Sequence, residues 1–307
     1  MPRKPIAMNK ESRTGNMQQV YPIPKPILLV SKILQSISPS LAAAWSRYFF
    51  KKPLEPELKA YEKQWREKAK HHKIRLPRFN KTIRVYQWGD GKKKALVLHG
   101  WSSRATRLAD LIEKLLNAGY TVYAPDAPSH GLSLGRSTNM VEYIESIKEI
   151  NKRFGPFDAV IGHSMGGISA LNAVAKHLLD TKKLVTVGIP DSIERIFYQF
   201  AEVMQLKPVI AELNIQYMRD KLGTDIKELA GSYNAREVDI PVLVVHDKDD
   251  KEVPFTDAEN IVSNLKKGRL YVTEGLGHRR IVRNEKVLSD IVNFLEGKIK
   301  PLQENGK

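Results

Sequence analysis

Short apolar runs alternate with amphipathic stretches along most of the chain. The runs Thr82–Trp88, Ala95–Leu98, Thr121–Ala124, Ala159–Ile161, Leu184–Val187, Val242–Val245 and Leu270–Thr273 read as strands. Helical periodicity falls between them, near 104–118, 138–152, 167–179, 256–266 and 284–297. Strands that are nearly continuous Val, Ile and Leu, separated by helices, predict an α/β core over residues 82–297. Its central sheet should be mostly parallel, with helices on both faces.

Two regions break this rhythm. From Pro190 to Asp239 no convincing strand occurs, and bulky apolar residues such as Phe197, Phe200 and Met204 recur at helical spacing. An insert of that length, about 190–239, predicts a helical cap or lid between two strands. The N-terminal region differs again. Residues 1–26 are Pro-rich and aperiodic, which predicts a flexible tail. In 27–50, Ile27, Val30, Leu34, Ile37 and Leu41 define one helical face; Pro39 interrupts, and Ser40 is read as the cap of a second helix. Residues 54–73 read as a charged helix and 74–81 as a loop. Together 27–81 form a helical extension, and 298–307 a C-terminal tail.

Charge sharpens that division. The 307 residues carry a net charge of +16, yet residues 1–94 hold 22 Lys and Arg against 6 Asp and Glu, so the rest is neutral. A basic arm on a neutral body is attracted to anionic surfaces, or is simply a solvated segment. Nothing else resembles a nucleic-acid module. Residues 27–50 are expected to pack on the core, with docking on a membrane surface as the alternative. Lys32, Pro39 and Arg47 keep them well short of a bilayer-spanning run. Ala42–Ala44 resembles a signal-peptide cleavage site, but the run before it contains Lys32 and lies too far from Met1. The absence of cysteine excludes disulfides, thiolate nucleophiles and Cys-bound metals, and fits a cytoplasmic location.

The sharpest chemical signal is Gly162-His163-Ser164-Met165-Gly166-Gly167, a G-x-S-x-G between a strand and a helix. Such a turn pushes the serine hydroxyl out at the carboxyl end of the strand, where the next helix aims its N–H groups. The chain here resembles the α/β-hydrolase superfamily, in its serine esterase and lipase branch. Three further segments agree: Leu98-His99-Gly100-Trp101 with the His-Gly oxyanion loop, Asp126–Ser133 with D-x-P-G-H-G-x-S (Ser129 replacing a Gly), and His246–Pro254 with H-G-x-x-D-x-x-V-P (Asp247 replacing the Gly). The resemblance covers about 82–297 and implies an α/β-hydrolase fold.

A serine hydroxyl needs a base, and the base an orienting partner. Of the eight histidines, His278 follows the last strand and two glycines, and completes the order serine, acid, histidine. His163 adjoins Ser164 and should point away, and His99 should brace its loop. The acid comes from Asp247, Asp249 or Asp250; the family spacing from Val253-Pro254 selects Asp250, with Asp249 as its neighbour and Asp191 as a remote alternative. Backbone N–H of Met165 and Trp101 are the oxyanion donors, and Trp101, Met165 and Phe197 the substrate-lining side chains. Asp247, Asp249, Asp250 and Glu252 lack the spacing of a calcium loop, and neither metal nor organic cofactor is implied. The expected function is hydrolysis of carboxylic esters or thioesters. An acyltransferase or C–C hydrolase with the same triad, or a non-catalytic membrane-associated binding protein, are the alternatives.

Overall fold

A computed structural model describes residues 23–223 and 225–298. An eight-stranded sheet runs in the order β1-β2-β4-β3-β5-β6-β7-β8. Its strands are β1 Lys70–Leu76, β2 Lys81–Trp88, β3 Lys93–Leu98, β4 Tyr120–Pro125, β5 Ala159–His163, β6 Leu184–Val187, β7 Val242–Asp247 and β8 Gly268–Thr273. β1 and β2 pair antiparallel, as do β2 and β4; from β4 onward every pairing is parallel. The fold is therefore α/β, with a mostly parallel sheet.

Alternation along the strands builds two cores. Leu96, Leu98, Val242 and Val244 face one, while Ala95, Val97, Leu243 and Val245 face the other. The first is covered by α5 Met140–Phe154, α6 Met165–Ala175 and α10 Phe255–Asn264, and the second by α4 Ala109–Asn117 and α12 Glu285–Leu295. Because both faces are covered, β4, β6 and β7 are buried throughout.

The sheet begins earlier than expected. Residues 70–76 were expected at the end of a helix and the start of a loop, inside a helical extension running to 81. Instead α3 Ala60–Lys68 stops, and Lys70-His71-His72-Lys73-Ile74-Arg75-Leu76 pairs with β2, Ile74 opposite Ile83. Only Ile74 and Leu76 of this strand are buried. An edge strand tolerates charge, and charge keeps it from pairing with another chain, so its sequence carries little apolar alternation to read.

N-terminal to this lie α1 Lys25–Ile37 and α2 Pro39–Phe50. Helix α1 begins inside the segment expected to be a flexible tail; residues 1–22 of that segment, and 299–307 of the C-terminal tail, lie outside the described residues. Ser38 rather than Ser40 caps α2, its side chain accepting from Leu41 N–H, because Pro39 suits the first helical position. The insert between β6 and β7 contains α7 Ile193–Val203, α8 Pro208–Leu222 and α9 Gly231–Ala235, and no strand among its described residues.

Helix α2 packs on this insert. Phe50 stacks on Phe197 at 4.5 Å, Arg47 donates to Asn214 at 2.8 Å, and Asn214 donates to Ser46 at 2.9 Å. The link 51–59 then passes the core loops: Leu54 N–H donates to Ser102 Oγ at 2.9 Å, and Arg104 reaches the carbonyl of Pro56. No helix among the described residues is long and apolar enough to cross a membrane.

Candidate active site

Ser164 sits at the turn between β5 and α6 with φ 51° and ψ −123°. A positive φ in a residue with a side chain is strained, and it persists only where the surroundings hold it. Here Ser164 N–H donates to Val187 O at 2.9 Å, tying the turn to β6. The helix starts so close to the strand that a Cβ on Gly162 would lie 2.5 Å from Gly167 Cα. One on Gly166 would lie 2.5 Å from the carbonyl oxygen of His99. Glycine is required at both places by contact.

His278 lies on the short helix α11 Gly277–Arg280, beyond the carboxyl end of β8. Its Nδ1 is 2.7 Å from Asp250 Oδ2, and both side chains are buried. Asp250 Oδ1 accepts from the N–H groups of Glu252 and Val253, at 2.8 and 2.9 Å. Burial alone would raise the Asp250 carboxyl, but the hydrogen bond and charge of His278 hold it below the ordinary value. Burial alone would lower His278, and the Asp250 hydrogen bond and charge lift it above the ordinary imidazole value. The pair is thus arranged as carboxylate and Nδ1–H donor, with Nε2 outside it.

Ser164 and His278 are neighbours through His163. The His163 and His278 rings are 4.7 Å apart, and His163 Nε2 hydrogen-bonds the backbone carbonyl of His278 at 2.9 Å. Loss of water around His163 pushes its pKa down to about 3, so the ring is neutral and donates through Nε2–H. Among the described residues no hydrogen bond joins the Ser164 hydroxyl to His278. Such bonds often form only in the complex with substrate.

Opposite the turn, a Cβ on Gly100 would lie 3.0 Å from Ser164 Cβ, which brings the 99–102 loop against the serine. The N–H groups of Trp101 and Met165 donate to no described residue. The loop is held from behind. His99 is fully buried; its Nε2 accepts from Ala127 N–H at 2.9 Å, so Nδ1–H donates to Gly100 O at 2.7 Å. Burial lowers its pKa to about 4 and keeps it neutral. His130 Nε2 accepts from Ser102 N–H at 3.1 Å, with its ring 5.4 Å from that of Trp101. Asp126, 1% exposed, accepts from Tyr86 OH, Ala105 N–H and Leu132 N–H. Ser129, standing where the resembled motif has glycine, adopts φ 63° and donates to Ser137 O.

Three other positions answer to the sequence expectations differently. Asp249 accepts from Gly275 N–H and Asp191 from Ser232 N–H, so neither carboxylate is the partner of His278. Phe197, expected to line the substrate site, is 4% exposed and stacks its ring on Phe50.

Asp247 was expected only as a departure from the motif and a competing acid. It is 1% exposed; Oδ2 accepts from Thr273 Oγ1 and Leu276 N–H, and Oδ1 from Asp249 N–H. Burial would raise it, but these donors, with Gly277 N–H, hold the carboxyl below its ordinary value. It therefore joins the loop bearing Asp250 to the loop bearing His278. The signal was present, since a carboxylate replacing glycine at a strand end needs donors, but two of them, Thr273 and Leu276, lie 26 and 29 residues on. Among the described residues no group of three or more His, Asp or Glu is arranged to hold a metal ion.

A model of the Alpha/beta hydrolase family matches residues 95–290. A non-heme haloperoxidase from Rhodococcus erythropolis is 26% identical over 258 residues, covering 68% of this chain and 94% of the relative. A 2-hydroxy-6-oxononadienedioate/2-hydroxy-6-oxononatrienedioate hydrolase from Dechloromonas aromatica is 27% identical over 241 residues, covering 62% and 82%. An esterase from Pyrococcus furiosus superposes with a TM-score of 0.63 at 20% identity, over 80% of this chain and 98% of that one. With the family match extending from β3 into α12 and so across every loop of the site, the chain belongs to the alpha/beta hydrolase family.

Proposed function

We propose that the protein is a serine hydrolase of carboxylic esters or thioesters. The observation that carries this reading is the buried His278–Asp250 pair at 2.7 Å, its His278 ring 4.7 Å from that of His163, the residue before a serine in a strained turn. Ser164 Oγ attacks the acyl carbon while His278 Nε2 takes its proton. Asp250 fixes the Nδ1–H tautomer and stabilises the imidazolium as it forms. The N–H groups of Trp101 and Met165, which have no described acceptor, bind the developing oxyanion; each such donor is worth about 3 kcal/mol in the transition state. His278 then protonates the leaving group, and water, activated by the same imidazole, resolves the acyl-enzyme.

The side chains of Trp101 and Met165 are the proposed acyl-pocket walls, with the helical insert as a cap. The C–C hydrolase and haloperoxidase among the relatives define the competing chemistries for the same residues. A panel of p-nitrophenyl esters of increasing acyl length, with a fluorophosphonate probe, tests the reading. Labelling and turnover that vanish in Ser164→Ala are the expected result. A wild-type protein that neither labels nor turns over any ester would remove it.

A further inference from the structure

The N-terminal hairpin exposes apolar surface that the core leaves uncovered. On α1, Leu29, Ile33 and Ile37 are 60, 50 and 69% exposed. Their spacing of four places them in one stripe, while Ile27 and Leu34 on the other side pack on the core. The stripe continues past Ser38 to Leu41 and, on the outer face of α2, to Ala44 and Tyr48. Scattered exposed apolar residues need no explanation, but a stripe along a helix does.

The second observation is electrostatic. Ala44 and Tyr48 line a surface concavity of about 460 Å³ together with Arg47, Lys51, Lys52 and Arg136. No carboxylate among the described residues lines it. Residues 12–54 contain no Asp or Glu at all, and the excess charge of the whole chain lies in residues 1–94. The apolar stripe thus meets the cation cluster at Ala44 and Tyr48, beside the C-terminal end of α2.

We propose that this hairpin is a docking surface for a bilayer containing anionic phospholipid. The stripe enters the level of the headgroups and upper acyl chains, and Lys51, Lys52 and Arg136 face the lipid phosphates. At 13 residues α1 is too short to cross the hydrocarbon layer, so it lies along the surface. A second copy is the other candidate occupant. A two-fold pairing through this face would bring the cations of one copy towards those of its mate, whereas a phosphate surface neutralises them.

The test is sedimentation of the full chain with large vesicles of phosphatidylcholine alone and with added phosphatidylglycerol, at low and high salt. Binding should require the anionic lipid and weaken with salt. Ile33→Glu with Ile37→Glu should abolish it, and Lys51→Gln should weaken it about fivefold. Val272→Glu, a change at an exposed apolar residue of β8, should leave it intact. Thermal melts report folding of each variant, and turnover of a soluble ester separates loss of docking from loss of the hydrolytic site. Failure to sediment with anionic vesicles overturns the proposal, and so does binding that survives the double glutamate variant. A dimer in light scattering that the same variant dissolves would assign the face to a second copy instead.

Discussion

Around Ser164 the loops are tied by buried polar side chains: His99, Asp126, Asp247 and Asp250 each hold a loop through short hydrogen bonds. On the outer face of the hairpin the reverse holds, with apolar Leu29, Ile33 and Ile37 at least half exposed. The first region spends buried polar groups to hold loops in one geometry. An unpaired group there costs about 1–3 kcal/mol, so alternative loop positions are heavily penalised. The second holds itself by ordinary one-sided packing and leaves its outer surface unspecified. Rigidity belongs where chemistry needs sub-ångström placement, and an unspecified apolar face belongs where the partner has no fixed shape.

The contrast is broken most severely at the serine. Ser164→Ala should lower ester turnover by at least ~10⁴-fold, measured as kcat/KM, with no loss of melting temperature. Ser164→Gly should be equally inactive and melt higher, since it relieves roughly 1–3 kcal/mol of positive-φ strain. Next comes Asp250→Asn, with a kcat loss of about 10⁴-fold. Catalysis needs neutral His278, whose pKa is raised, so kcat/KM should climb with pH through an ionisation above the ordinary imidazole value. Removing the Asp250 charge takes away what raises that pKa and leaves burial, which lowers it. The acid limb of the pH profile should therefore move down in the residual activity.

Asp247→Ala would show whether the polar network holds the site or merely lies beside it. It takes the acceptor from Thr273 Oγ1, Leu276 N–H and Asp249 N–H, all in part-buried bonds, and should cost about 2 kcal/mol by urea unfolding. Turnover should drop because the loops bearing Asp250 and His278 lose their tie. Phe50→Ala, in the seam between hairpin and insert, should cost about 2 kcal/mol, less than the ~3–5 kcal/mol of a fully buried ring, and leave soluble-ester turnover within twofold. Ile37→Ser, at the most exposed point of the stripe, should change stability by less than about 0.5 kcal/mol. A larger loss would mean that the stripe is covered in solution.

The parallel strands were legible because burial on both faces leaves no room for polar residues, and continuous Val, Ile and Leu follow. The turn at Ser164 was legible because contact permits only glycine at 162 and 166, a demand local to a few residues. Strand β1 was not legible. An edge strand is held by backbone pairing to β2, which Lys70-His71-His72-Lys73 does not advertise in its side chains. The same holds for the shift of the helix cap from Ser40 to Ser38, a choice made by how Pro39 fits the first turn.

Local pattern, then, determined the strands from β2 onward, the helices that cover them, and the glycine-flanked turn at Ser164, since these depend on forces acting over a few residues. Only tertiary structure decided that Asp247 binds the His278 loop, that His163 holds the His278 carbonyl, and that Phe197 serves a seam with Phe50. Each of these is a pairing between segments far apart in the chain. Its partner is selected by the meeting of strand ends and helix faces in space, and no periodicity along one segment encodes which distant atom will arrive there.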